Sequence, residues 1–284
     1  MSDSNTKELV QQLKTQGELI TTLSHRLGVA EDINELKHLH YSYGYYLDKC
    51  LYKQVFDLFE KDGMAIFHGS VWKGEKGIHR LFVERFGGKF VGGKNGPITG
   101  YLLDHLLMQQ IVHVAPDRLS AKMRARTFMQ GKLDQYLALT PSSDKFSSDS
   151  TSQRDVVGTF RQTPPTIQLW EGGIYENHFG RNSVDEPWKI RRLDYHPTYH
   201  GDYALGWALT QPGWIPFFKT TYPEDPLGPD EILPLGPDGS WIWPDTHTVP
   251  FHYSHPITKE DVLARDMQAV TFQEYMATKK ENGA

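Results

Sequence analysis

Asp48 stands where a leucine would be easier to accommodate. It lies in YSYGYYLDKCLYKQVFDLFEKDG, residues 41–63, where apolar and aromatic residues recur at the spacing of a helix packed on a core. Leu36, Leu39, Tyr43 and Leu47 share one face of that helix, with Asp48 at its margin. A carboxylate there either reaches solvent or is held inside the fold, because burying it unpaired costs several kcal/mol. His105 offers a partner. It opens a strand pattern in LLDHLLMQQIVHV, with Leu103 and Leu107 on its face. An inward imidazole alone reads as a satisfied core residue. Beside an inward carboxylate it has its tautomer fixed and its imidazolium stabilised, and the second ring nitrogen becomes a competent general base. Such a dyad abstracts a proton without a metal or cofactor, so neither is expected.

Other reactive side chains read more plainly. Cys50 has no neighbour in sequence that would activate a thiolate and reads as a small buried hydrophobe. His196, His200, His247, His252 and His255 fall late in the chain. The HPTYH spacing would need a helix to bring two imidazoles to one metal, and Pro197 forbids it, so these residues read as loop packing or substrate contacts. The glycine-rich run 87–96 lacks the spacing of a phosphate loop and reads as a mobile pocket lid. Glu171 and Tyr175 share a strand face by alternation, which reads as facing solvent or a subunit interface.

The elements that must position these groups follow from periodicity. Leu9, Leu13, Ile20, Leu23 and Leu27 recur at three- and four-residue steps over 5–28, the pattern of a short coiled coil or of a helix lying on its own domain. Gly28 is expected to break it. A second helix runs from near Glu31, a third over Lys53–Glu60, then a strand MAIFHG and a helix over 74–86. Four long strand patterns follow, near 105–115, 119–133, 166–181 and 188–199. Helices first and long strands after them predict an α+β fold, a cone-shaped, mainly antiparallel sheet wrapped over helices. The organisation predicted is a docking or oligomerisation helix at 1–29, a catalytic domain at 30–208 with a polar mobile insertion at 139–165, and a Pro/aromatic-rich tail at 209–284 packed on the domain or on a neighbouring subunit.

Composition removes several classes of function. The net charge of −5 carries no basic signature, so no nucleic-acid partner is expected. One cysteine excludes an intrachain disulfide. No run of about 18 apolar residues suggests a membrane span, and the polar N-terminus has no signal-peptide core, so the cytoplasm is the default location.

Five segments in order, YGYYLDKCLYKQVFDLF, VWKGEKGIHRLF, DHLLMQQIVHVAPDRLSAKMRAR, WEGGIYENHF and WKIRRLDYHPTYHGDY, resemble SnoaL-like proteins of the nuclear transport factor two-like superfamily, over roughly residues 30–208. Scytalone dehydratases and hexachlorocyclohexane dehydrochlorinases are the catalytic relatives it brings in. The resemblance implies a cone-shaped α+β barrel, often a trimer with a dimer as the alternative, and an Asp–His pair at Asp48 and His105. It further implies substrate contacts from Tyr45, Tyr46 and Tyr101 and from Arg192, with Arg191 as the alternative arginine. The function expected is a cofactor-independent lyase acting on a hydrophobic aromatic or polycyclic molecule, by dehydration first, then by retro-aldol loss of formaldehyde from a diaryl propane, then by isomerisation or cyclisation. The competing class is a non-catalytic binding module, which needs neither Asp48 nor His105.

Overall fold

A computed structural model describes residues 3–134, 166–203, 206, 218–233, 242–243, 246 and 248–281. The polar insertion at 139–165 and much of the tail therefore fall outside the described residues. The chain opens with α1 (Asp3–Asp48), one continuous helix of 46 residues. No proline interrupts it, and Gly28 does not break it as expected. Gly28 instead permits a close approach. A Cβ there would lie 2.1 Å from Arg118 Nη1, and Arg118 Nη2 donates to the Gly28 carbonyl at 3.0 Å. The helix is thus pinned to the sheet where sequence suggests a hinge. Before this point Leu9, Leu13, Ile20, Leu23 and Leu27 are each at least half exposed, while His25 Nε2 meets the Pro116 carbonyl at 2.9 Å. After it Leu36, Tyr43 and Leu47 are buried in the core.

Past the helix lie α2 (Tyr52–Asp57), β1 (Phe59–Phe67) and β2 (Ser70–Lys73). The third helix ends three residues earlier than predicted, because Phe59 is buried and pairs with Ile190 as the first residue of β1. The amphipathic stretch 74–86 is not one α-helix. It comprises α3 (Gly74–His79), a π-helical turn over Arg80–Phe86, and then α4 (Gly87–Val91), which takes up the start of the glycine-rich run.

The long strands are β3 (Tyr101–Val114), β4 (Ser120–Asp134), β5 (Thr166–Gly180) and β6 (Lys189–Asp202), with a short β7 (Glu231–Ile232) from the tail. They form one curved, unclosed sheet in the order β3-β4-β5-β6-β1-β2-β7. Every neighbouring pair is antiparallel except β1 with β6. The α+β expectation holds. On β4 the buried Ala121, Met123, Ala125 and Thr127 alternate with outward Lys122, Arg124 and Arg126, so one face meets the helices.

The described tail packs on the domain in two places. Residues 218–233 lie along β2 and the π-helical turn, where Arg80 bonds Asp230 at 2.6 Å and Phe218 meets Trp72 edge-on at 5.3 Å. Residues 249–253 cross the convex face, where Arg124 donates to the carbonyls of Val249 and Pro250. No described helix is long and apolar enough to cross a membrane.

Candidate active site

Asp48 is the last residue of α1, and no basic side chain occupies the final turn. The chain turns sharply after it. Cys50 takes a left-handed conformation (φ 55°), with Cys50 N–H bonded to the Leu47 carbonyl and Leu51 N–H to the Tyr46 carbonyl. A carboxylate at the negative end of a helix is disfavoured by about 0.3–1 kcal/mol. Two bonds to β3 compensate. Asp48 Oδ1 lies 2.6 Å from His105 Nδ1, and Oδ2 accepts the His105 backbone N–H at 3.1 Å. The side chains keep only 8% and 7% of their accessible surface. With the carboxylate ionised, Nδ1–H donates to it and Nε2 carries the lone pair, so the ring is a base presented on the concave side of the sheet.

A run of aromatic rings ends at Tyr101, four residues before His105 on the same face of β3. Phe67, Phe86, Phe90 and Tyr101 form a band of rings with successive centroids 6.1, 5.6 and 5.5 Å apart. Burial, with Cys50 and the Asp48 carboxylate nearby, pushes the Tyr101 hydroxyl well above its ordinary range, so it is a neutral hydrogen-bonding group. Deeper in, His40 is fully buried between Tyr43 and Tyr175, and among the described residues neither ring nitrogen has a hydrogen-bond partner. Burial alone lowers its pKa to about 3, and it is neutral.

A SnoaL-like domain model matches residues 28–194, more than half of the chain. The chain belongs to the SnoaL-like domain family. Among solved structures, the SnoaL-like chain is similar to a candidate scytalone dehydratase from Novosphingobium aromaticivorans DSM 12444, at 14% identity over 62% of this chain and 90% of that one, with a TM-score of 0.42. It is also similar to a hexachlorocyclohexane dehydrochlorinase from Novosphingobium barchaimii LL02, at 13% identity over 63% and 94%, with a TM-score of 0.43. A third is a Streptomyces coelicolor protein, ActVI-ORFA, at 12% identity over 58% and 96%, with a TM-score of 0.38. No curated protein sequence matches.

The SnoaL-like fold unites Asp48 and His105 and places Tyr101 beside them, but it separates the other expected contacts. Tyr45 is 74% exposed on the outer side of α1. Tyr46 lines a groove of about 770 Å³ with Asp32, His38, Arg118, Arg181 and Trp188, which contains neither member of the pair. Arg192 lies with Asp194 and His196 on the convex face and bonds Asp194 through Nε at 3.0 Å. Arg191 bonds Glu60 at 2.8 Å near the surface. Neither arginine reaches the site. The irregularity in the β5–β6 ladder, which runs from His178↔Arg192 directly to Phe179↔Ile190, sets this parity.

Glu171 corrects the reading in the other direction. It is 4% exposed, on the concave face, not at solvent. Oε2 meets His200 Nδ1 at 2.6 Å and Oε1 accepts from the Tyr195 hydroxyl at 2.6 Å. Burial would raise this carboxyl, but the bond from His200, the nearby His68 imidazole and the bond from Tyr195 outweigh it and hold it below the usual range. His196 and His200, four residues apart, face opposite sides. Gly173 pairs with Pro197 and Gly172 with Tyr199, so Thr198 is an extra residue that inverts the alternation between them. Sequence reading also missed Asp32, buried at 1% and held by Arg118 at 2.5 Å, Arg181 at 2.7 Å and Trp188 Nε1 at 3.2 Å. Burial raises its pKa, but these bonds and the two guanidinium charges outweigh that and keep it ionised. It is a structural clasp between α1 and the sheet.

Proposed function

We propose that this SnoaL-like protein is a cofactor-independent lyase acting on a hydrophobic aromatic small molecule. His105 Nε2 takes a proton from carbon, Asp48 stabilises the imidazolium that forms, and the imidazolium returns that proton to the hydroxyl on the neighbouring carbon as its C–O bond breaks, so that the leaving group departs as water. The observation that carries this reading is the two-point hold of Asp48 on His105. It fixes both the orientation and the tautomer of a ring that is 7% accessible. Tyr101 supplies a neutral hydroxyl to polarise a substrate oxygen.

The test is a panel of diaryl and polyketide alcohols incubated with the full chain and followed by mass spectrometry. Loss of water that disappears in His105→Ala and Asp48→Asn, with melting temperatures retained, supports the lyase. Loss of formaldehyde would keep the base and replace the leaving group. Turnover unchanged in both variants would sink the enzyme reading and leave a binding module.

A further inference from the structure

The outer face of α1 is an apolar seam that the described domain leaves uncovered. Leu9, Leu13, Ile20, Leu23 and Leu27 are each at least half exposed, and Gln16 fills the one polar place among them. The steps between these six are four, three, four, three and four residues, and the same alternation runs on to Ala30 and Asn34, both exposed. In heptad terms Leu13, Ile20, Leu27 and Asn34 are a positions, and Leu9, Gln16, Leu23 and Ala30 are d positions. Lys7, Glu8, Lys14 and Glu18 fall at b, c and f, off the seam.

Burial places the domain on the other side of the same helix. Asp32, Leu36, His40, Tyr43 and Leu47 are buried, and ahead of them His25 meets the Pro116 carbonyl at 2.9 Å. At about 100° per residue these positions cluster about 180° away from the seam. A second helix can therefore lie along the seam while the two domains stand on opposite sides of the pair. The helix also needs such a neighbour. Helices in proteins owe most of their stability to the packing of an apolar face, and Gly17 lowers the intrinsic propensity of this one at its middle.

We propose that the seam is covered by the same seam of a second copy of this chain, in a parallel, in-register, two-stranded coiled coil. Three features select that occupant. Ile20 at an a position, with Leu23 at the following d, favours two strands. Gln16 and Asn34 would each face their own counterpart, where amide meets amide and both donor and acceptor are satisfied; an apolar partner surface would leave them unpaired. Arg26 stands at a g position and Glu31, five residues on, at the e position of the next heptad, and both are exposed. In a parallel pair each Arg26 meets the partner subunit's Glu31, and the two-fold axis makes the contact twice. An antiparallel pair sets g against g and loses it.

Sedimentation equilibrium of the full chain is expected to give twice the chain mass. The double variant Ile20→Glu/Leu23→Glu should raise the monomer–dimer dissociation constant at least about a hundredfold. Thr22→Glu, at an outer c position, should leave it unchanged. Orientation is read by disulfide formation. Cys50 is buried, so an introduced thiol is the one exposed to oxidant. Leu9→Cys and Leu23→Cys, made separately, should each give a covalent dimer, because equivalent d positions meet all along a parallel pair. An antiparallel pair brings at most one of them to its own counterpart. A monomer or trimer mass for the unaltered chain overturns the proposal. So does a dimer unmoved by the double variant, or a cross-link at one position or neither. Should the double variant lose its cooperative melting, the two cross-links decide the matter.

Discussion

Asp48 grips His105 at two points, one on the imidazole and one on its own backbone N–H. The two bonds respond differently to substitution. In Asp48→Asn the amide oxygen still accepts the backbone N–H, but no anion remains to stabilise the imidazolium. Turnover is expected to fall by about 10²–10⁴, with the melting temperature nearly kept. In Asp48→Ala both donors lose their acceptor, and stability falls as well, by about 1–3 kcal/mol. Steady-state kinetics and thermal melts on the two variants check this; a large stability loss in Asp48→Asn would contradict it.

His40 gives the fold an acid sensitivity. Its folded-state pKa of about 3 lies below the ordinary value of 6.5, so the folded state binds fewer protons than the unfolded chain between these limits. Its contribution is fully present above pH 6.5 and is lost as pH falls toward 3, at up to about 1.4 kcal/mol per pH unit. Denaturant unfolding at pH 7 and pH 5 should show a shallower loss for His40→Leu than for the unaltered chain. Parallel slopes would exclude the role.

Gly28 and Arg118 predict a change of sign. Gly28→Ala places a Cβ within 2.1 Å of the guanidinium that holds Asp32. The displacement should cost about 1–3 kcal/mol by weakening a buried ion pair, despite the better helix propensity of alanine. In an Arg118→Ala background the same substitution meets no guanidinium and should stabilise by about 1 kcal/mol. A double-mutant cycle by denaturant unfolding measures both terms.

Arg124 fastens the tail to the convex face. It bonds Glu176 at 2.6 Å, donates to the carbonyls of Val249 and Pro250, and lies 4.2 Å from the Phe251 ring centre. Arg124→Ala should free residues 249–253, raise the rate of limited chymotryptic cleavage at Phe251, and lower stability by about 1–3 kcal/mol. Unchanged cleavage would show that other contacts hold the segment.

Asp48 and His105 were legible because each breaks an apolar pattern that is itself simple to read. One is a carboxylate beside a helix stripe, and the other an imidazole between two leucines on a strand. Tyr45 and Tyr46 were not, since both neighbour the same stripe in sequence and only the depth of helix burial separates them. Glu171 shares its face with Tyr175, as alternation predicts, but alternation does not say which face is covered.

The amino-acid order by itself determined the helix-then-strand succession, the α+β class and the two polar residues that stand out of place, Asp48 and His105, because periodicity and a break in it are properties of the chain alone. Tertiary structure decided which side each side chain faces. One extra residue in a ladder inverts everything beyond it, as at Thr198 between His196 and His200, and no spacing in the sequence marks where a bulge falls. It also made Gly28 a contact in place of a break, since the arginine that needs the space arrives from the turn between β3 and β4, 90 residues away.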